Sequence, residues 1–253
     1  MKRLSNSLNT HSWDALEETI LSCRKCPRLV VWREQVAATR RRAYRHQDYW
    51  GKPVPGFGDA GGRMLVVGLA PGAHGANRTG RMFTGDGSGD FLYRALHRAG
   101  FASQARAISM DDGLTLEDLY ISAVCRCAPP GNKPRPQEIA NCLPFLQWEL
   151  LFLENLEGIV ALGRIAFDNV LRLFREDGVT IPRLTFAHAA VYNLGGGLPW
   201  LVASYHPSRQ NTQTGRLTEA MFDEVWRKVS QLLKKQAGDA TADLGYNPKS
   251  SET

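Results

Sequence analysis

Short, continuous apolar runs recur along the chain, and polar or glycine-rich segments follow most of them. The runs are Met64–Gly68, Leu119–Val124, Ile159–Leu162 and Trp200–Tyr205. Runs of this length without polar alternation are typical of strands buried on both faces of a parallel sheet. The pattern therefore predicts four central strands.

Apolar residues repeat at helical spacing between and around these runs. Ser12 is a candidate cap for a first helix, Pro136 for the opening of another, and Thr218 for the last. Further helices are predicted from Phe91 to a glycine cap at Gly100, and after Gly163. Strands that alternate with helices predict an α/β fold whose mostly parallel sheet is covered on both faces.

Three of the predicted strands end in loops rich in polar residues or glycine, at 68–89, 125–135 and 206–216. The carboxyl ends of parallel strands lie at one edge of a sheet, where α/β proteins bind their ligands. We therefore expect the three loops to meet in one cleft.

The longest of these loops contains seven glycines between Gly68 and Gly89. It matches neither a P-loop, which needs Lys and Ser or Thr after its last glycine, nor the GxGxxG spacing of dinucleotide-binding folds. Glycines would let a ligand approach the backbone closely. The alternative is a mobile surface loop without a ligand.

Composition narrows the class of protein. In 253 residues, 31 Lys and Arg face 25 Asp and Glu, which gives a net charge of +6. This charge suits a polyanionic partner without requiring one. The sequence predicts no membrane span and no signal peptide, so we expect a cytoplasmic protein. We predict a single domain over 12–236, a flexible N-terminus over 1–11 and a disordered tail over 237–253.

Five cysteines in such a chain favour a metal site or free thiols over disulfides. Cys23 and Cys26 have the spacing of a metal knuckle, and Cys127 and Cys142 are candidates for two further ligands. Cys125 is left over. Zinc and an iron–sulfur cluster both fit the spacing, and a set of buried free cysteines is the alternative.

Candidate ligand-binding residues lie in the three loops. His206 follows a buried strand, and its imidazole could donate a hydrogen bond to a carbonyl oxygen. Asn132 and Asn211 could bind amide-like edges, or could only brace turns. Phe83 could stack on a flat base, or could close the core.

The acids of the glycine loop are Asp86 and Asp90. We expect Asp90 to cap the helix that starts at Phe91 and Asp86 to have no capping role, which leaves Asp86 as the candidate for catalysis. The chain has no GxSxG or HExxH motif that would indicate a serine nucleophile or a zinc protease.

Four stretches together resemble the uracil-DNA glycosylase superfamily, most closely its family 5, the B-type enzymes with an iron–sulfur cluster. They are CRKCPRLVVWRE at 23–34, GLAPGAHGANRTGRMFTGDGSGDFL at 68–92, CRCAPPGNKPRP at 125–136 and SYHPSRQNTQTGRLT at 204–218. The resemblance implies a three-layer α/β/α sandwich. It also implies a 4Fe–4S cluster on Cys23, Cys26, Cys127 and Cys142.

The resemblance also implies a set of site residues. The floor of the base pocket would be Gly68, Leu69, Ala70, Pro71 and Gly72. Phe83 would stack on the flipped base, Asn132 and His206 would contact it, and Asn211 would enter the DNA. Leu69 and Ala70 stand where related families carry a polar residue that places the attacking water, and Asp86 is the substitute that the resemblance favours.

The implied activity is removal of uracil, and of other deaminated bases such as hypoxanthine, from double- and single-stranded DNA. Basic residues of the loops would hold phosphates: Arg78, Arg81, Lys133, Arg209 and Arg216. No lysine is an obvious Schiff-base former, so strand cleavage is not expected. We expect a monomer that works at the nucleoid. The alternative is a non-catalytic, metal-containing protein that binds nucleic acid.

Overall fold

The computed structural model describes the backbone of residues 12–243 and the side chains of 12–235. The predicted flexible N-terminus over 1–11 lies outside the described residues, as does the stretch 244–253. The last helix continues to Asp243. It therefore passes the predicted end of the domain at 236, and the domain bounds stay a prediction.

The core of the fold is one six-stranded sheet with the strand order β1-β3-β2-β4-β6-β5. The strands are β1 Phe57–Gly58, β2 Met64–Gly68, β3 Leu119–Ala123, β4 Gly158–Leu162, β5 Ala190–Tyr192 and β6 Trp200–Ser204. The four strands predicted from apolar runs form the parallel centre, and β1 and β5 are antiparallel at the edges.

Register aligns the carboxyl ends of the central strands. Met64 at the start of β2 pairs with Leu119 of β3 and with Gly158 of β4. Gly158 in turn pairs with Trp200 of β6. Since the four strands start level and have five residues each, their following loops leave the sheet along one edge.

Eight α-helices accompany the sheet in the described residues. They are α1 Trp13–Leu21, α2 Pro27–Thr39, α3 Ala76–Thr79, α4 Gly87–Arg98, α5 Pro136–Phe152, α6 Arg164–Glu176, α7 Arg209–Gln213 and α8 Glu219–Asp243. Of these helices, none has the length and the apolar character that crossing a membrane requires.

Alternate residues of each strand face two separate apolar cores, which confirms the three-layer α/β/α sandwich. Val66 and its alternates pack with α4 and α8, for example with Leu92 and Phe222. Leu65 and its alternates pack with α1, α5 and α6, for example with Phe167. Burial on both faces explains why these strands have no polar alternation.

The start of α4 differs from the prediction. The helix begins at Gly87, four residues before Phe91, and Asp86 is its N-cap. The prediction that Asp90 caps this helix is therefore wrong, and so is the premise that Asp86 has no capping role. Asp90 lies within the first turn as an exposed residue.

Candidate active site

A cavity of about 710 Å³ lies at the carboxyl edge of the sheet, where the three predicted loops meet. The glycine loop contributes 69–76, 82–83 and 85–88, the second loop 131–133, and the third His206 and 208–210. Parallel strands with aligned ends place these distant segments side by side. The convergence predicted from the sequence is present.

The floor of the cavity is the turn that follows β2. Leu69, Ala70, Pro71 and Gly72 line it, whereas Gly68 is a buried residue of the strand beneath. The chain then forms the short helix α3 instead of the unstructured loop that the glycines suggested. Leu69 is tied to the neighbouring strand end because its carbonyl accepts a hydrogen bond from the backbone of Cys125 at 2.9 Å.

Phe83 lies against the floor in a strained backbone conformation. Its φ of 52° is in the left-handed region, which is unusual for a bulky residue. Its ring lies where a Cβ on Gly68 would come within 2.8 Å, and it stacks on the His206 ring with centroids 5.8 Å apart. Strain of this kind persists where the surroundings fix a residue, often at ligand sites. The exposed part of the ring is a flat apolar surface in the cavity.

His206 follows β6 and lines the cavity. Burial lowers its pKa to about 4. The imidazole is therefore neutral at physiological pH, with one nitrogen able to donate and the other to accept. Asn211 does not line the cavity; its side-chain amide donates to the His206 carbonyl oxygen at 2.8 Å. In this structure Asn211 braces the turn that carries His206.

Asn132 lies in a single turn of 3-10 helix over Pro130–Asn132. Its φ of 56° is left-handed, a conformation that asparagine tolerates better than most residues. The residue is exposed and lines the cavity. Asn132 and His206 thus present an amide and a neutral imidazole from two different loops.

Asp86 has one oxygen in a structural role and one at the floor of the cavity. Oδ1 accepts hydrogen bonds from the backbones of Ser88 and Gly89, both at 3.0 Å. Oδ2 lies over the floor turn, where a Cβ on Gly72 or Gly75 would approach it to 2.6 or 2.0 Å. Only glycine leaves room for the carboxylate at these positions. Burial raises the pKa of Asp86, although the two backbone hydrogen bonds oppose this.

Three of the five predicted phosphate-binding residues are exposed around the cavity: Lys133, Arg209 and Arg216. Lys133 and Arg209 line it. The Arg216 guanidinium lies 4.8 Å from the centre of the Tyr205 ring. These cations can meet a backbone that approaches the cavity from solvent.

The structure corrects the predicted role of Arg78 and Arg81 as phosphate contacts. Both are buried, and their guanidinium groups are occupied within the protein. Arg78 donates to the Gly85 carbonyl oxygen at 2.7 Å, and Arg81 forms an ion pair with Asp112 at 2.7 Å. These bonds hold the glycine loop in shape. The prediction that the two residues contact phosphates is therefore wrong.

Several residues outside the predicted set also line the cavity. Arg41 is exposed and lines the cavity together with Tyr44 and His74. His74 is fixed by a 3.1 Å hydrogen bond to the Tyr49 hydroxyl, and burial lowers its pKa. In the sequence, the basic run 40–42 lies beside Tyr44 and Tyr49 and could have indicated a binding surface. Runs of this kind are more often a solvated face of the protein.

The cysteines lie near one another in the fold. Cys23 follows α1, Cys26 caps α2, Cys127 follows β3, and Cys142 belongs to α5. Burial raises the pKa of the Cys26 thiol, and the nearby Cys142 and Cys23 raise it further against a hydrogen bond from Asn141. The fifth thiol, Cys125, is buried and hydrogen-bonded to Cys142.

The surroundings of these thiols fit a thiolate-bound group. N–H donors point at three of the sulfur atoms: Arg33 at Cys127 at 2.9 Å, Arg126 backbone at Cys142 at 3.2 Å and Asn141 at Cys26 at 3.5 Å. Among the side chains of residues 12–235, no three His, Cys, Asp or Glu are arranged to hold a metal ion.

Comparison with known proteins identifies the family to which this sheet and cavity belong. A sequence model of the uracil DNA glycosylase superfamily matches residues 55–230, more than half of the chain. The chain belongs to the uracil DNA glycosylase superfamily. The match covers the three cavity loops and the whole sheet.

Individual relatives give a finer comparison. A type-5 uracil-DNA glycosylase of Thermus thermophilus is 52% identical over 219 residues, which cover 87% of this chain and 97% of the relative. One of Mycobacterium tuberculosis is 51% identical over 86% of this chain and 80% of the relative. A type-4 enzyme of Archaeoglobus fulgidus is 29% identical, over 89% of this chain and 95% of the relative.

Proposed function

We propose that this protein is a uracil-DNA glycosylase of the type-5 group, which hydrolyses the bond between uracil and deoxyribose and leaves an abasic site. The observation that carries the proposal is the cavity in which Phe83, Asn132, His206 and Asp86 meet from three separate loops. The names of the relatives, at about half identity over most of both chains, support the same activity.

A base inside a duplex cannot reach such a cavity, so the enzyme must extrude it, at a cost of a few kcal/mol. In the mechanism we propose, the flipped base lies on the floor over 69–72 with one face against the Phe83 ring. The strained Phe83 backbone and its contact with Gly68 fix the ring before the base arrives, so little ordering is left for the binding step.

Asn132 and His206 would bind the edge of the base. Uracil leaves as an anion, and a hydrogen bond from a neutral imidazole to a carbonyl oxygen strengthens as this charge develops. The low pKa of His206 favours this role over that of a proton donor, because the ring is uncharged above about pH 4. Asn211 would act indirectly by holding the His206 backbone.

Asp86 would act on the sugar side. The bond breaks toward a cationic sugar, which a carboxylate stabilises by charge, and the same group can orient the attacking water. Oδ1 is held by the first turn of α4, so Oδ2 is the atom that would perform these functions. No side chain of the 68–72 turn can replace it, since the turn reads Gly-Leu-Ala-Pro-Gly.

We assign a 4Fe–4S cluster to Cys23, Cys26, Cys127 and Cys142. When bound, the cluster would supply one-electron redox chemistry that base hydrolysis does not need, so its role here is structural. The four cysteines tie α1, α2 and α5 to the end of β3, next to the loop that carries Asn132. Cys125 would remain a free thiol in the core.

The DNA backbone would be held by Lys133, Arg209 and Arg216, with Arg41 as an addition from the structure. Because the base is read after extrusion, both double- and single-stranded DNA are expected substrates. Hypoxanthine as a further substrate, the absence of strand cleavage, a monomeric state and work at the nucleoid remain predictions from the sequence.

A base-release assay tests the proposal. Purified protein is incubated with duplexes and single strands that carry uracil, hypoxanthine or ethenocytosine, and abasic sites are revealed by alkali. Uracil should be released, and no strand should break before alkali treatment. Release of another base in preference to uracil would change the substrate, and tight binding without release would establish a non-catalytic nucleic-acid-binding protein instead.

A further inference from the structure

Arg33 is a buried cation beside the cysteine site. It lies in α2 and is 2% exposed. Its Nη1 atom donates to the Cys127 sulfur at 2.9 Å, and Nη1 and Nη2 contact the Cys23 carbonyl oxygen at 3.5 and 3.4 Å. One guanidinium therefore contacts two of the four proposed ligand residues.

Among the described residues, carboxylates neutralise the charge of Arg33 only weakly. Its nearest acid, Glu34, is 3.7 Å away, but that side chain is 44% exposed and pairs with Arg24 at 2.6 Å. The other buried guanidinium near the site, Arg126, forms an ion pair with the buried Glu149. Arg33 is thus the buried positive charge left to face the thiols.

Buried donors near the thiols lack acceptors. The Nε atom of Arg33 has no hydrogen-bond partner within the described residues, and neither have Nε and Nη1 of Arg126. A buried N–H without an acceptor is costly and rare in native proteins. Thiolates and the sulfides of a cluster are acceptors that would remove this cost.

We propose that Arg33 is the buried counter-charge of the 4Fe–4S cluster assigned above, and that it donates to the Cys127 thiolate and to the cluster. This inference rests on the cluster of the proposed function. Hydrogen bonds to sulfur and nearby positive charge stabilise the more negative, reduced form of a cluster. Arg33 therefore raises the reduction potential and slows the loss of iron.

The backbone of Arg33 has a different contact, which makes the side chain separable in an experiment. The Arg33 carbonyl oxygen accepts from the Asn77 side chain at 3.3 Å, and the Asn77 backbone donates to the Gly72 carbonyl oxygen at 3.0 Å. A substitution at 33 leaves this link to the cavity floor in place. The loaded variant should therefore keep base release while the properties of its cluster change.

The experiment compares Arg33→Met, which keeps the apolar stem, with Arg33→Lys, which keeps the charge but not the forked donors. Arg24→Met is the matched control, because it removes the same charge from an exposed side chain next to Cys23. Iron content is measured first. The midpoint potential of the cluster is then determined by titration with dithionite, with the reduced form detected by electron paramagnetic resonance. Iron release to a chelator is followed by visible absorbance.

For Arg33→Met we expect the ratio of reduced to oxidised cluster to fall at least tenfold at a fixed potential, a midpoint shift of about 59 mV for one electron. Iron release should be at least tenfold faster. Arg33→Lys should lie between the parent and Arg33→Met, and Arg24→Met should stay within about twofold of the parent, since exposed charges are screened.

Iron-loaded Arg33→Met with the midpoint and iron-release rate of the parent would overturn this inference and leave the proposed function intact. If Arg33→Met cannot be loaded, Arg33→Gln, which keeps a donor and removes the charge, decides: a midpoint potential and an iron-release rate equal to those of the parent would overturn the counter-charge. A parent protein that contains one zinc would overturn the cluster and the role of Arg33 together, whereas base release would still be judged by its own assay.

Discussion

Replacement of Asp86 separates the role proposed for it in the reaction from its role as a helix cap. Asn is as good an N-cap as Asp, so Asp86→Asn keeps the acceptor for the backbones of Ser88 and Gly89 and removes the charge. Asp86→Ala removes both. Loss of the cap should lower the free energy of unfolding by about 1 kcal/mol. In a chain of this size that corresponds to a melting temperature lower by roughly 2–4 °C.

The chemical effect should be larger than the structural one. A preorganised charge that meets charge developing in the transition state contributes a factor of roughly 10²–10³ in rate. We therefore expect Asp86→Asn to release uracil 10²–10³ times more slowly in single-turnover experiments, at an almost unchanged melting temperature. Asp90→Asn is the matched control, because it removes the same charge from the same helical turn at an exposed site outside the cavity.

The pH dependence gives a second readout. In the proposed mechanism Asp86 acts as the carboxylate, and burial raises its pKa, so the rate should fall as the pH drops through a value above that of an ordinary aspartate. His206 is already neutral there, because its pKa is about 4. The acid limb should disappear in Asp86→Asn. If Asp86→Asn instead releases uracil at the parental rate, Asp86 is a cap only, and the backbone must place the water.

His206→Ala should slow uracil release by roughly 10²–10³-fold with little change in DNA affinity, and an equal loss of affinity would make His206 a DNA contact. Cys142→Ala should lower the iron content below four per chain, whereas Cys125→Ala should leave it intact. Equal iron content in the parent and in both variants would refute the ligand assignment. Arg81→Met leaves Asp112, whose side chain is 10% exposed, without its ion-pair partner and should lower the free energy of unfolding by about 1–3 kcal/mol in denaturant titrations. A fall in DNA affinity at unchanged stability would restore Arg81 as a phosphate contact.

The central sheet was predictable because its four strands are buried on both faces, which gives apolar runs without alternation. The edge strands were not. β1 has two residues, lies in a stretch rich in Pro and Gly, and is held by pairing with β3. β5 has three residues and depends in the same way on β6. Strands this short are defined by their neighbours and leave no pattern of their own.

The location of the site was predictable from the loops, but the partners of its side chains were not. Arg81 looks like a free cation in the sequence, because Asp112 is 31 positions away and nothing local indicates the pair. Lys133 is exposed at the cavity, whereas Arg81 is buried. This difference appears only once tertiary contacts are formed. Charge in a loop predicts a binding surface poorly when acids elsewhere can reach it.

The misplaced start of α4 has a specific physical cause, and that cause links the helix to the site. Gly87 and Gly89 lie in the first turn of the helix. Because glycine disfavours helix interiors, the sequence pattern there does not indicate a helix. Gly89 is required because a Cβ there would come within 1.6 Å of the Phe83 carbonyl oxygen. The first turn can therefore pack directly on the strained Phe83 and place the capping Asp86 over the floor. The glycines that obscure the helix in the sequence therefore allow its capping carboxylate and the Phe83 ring to lie in one cavity.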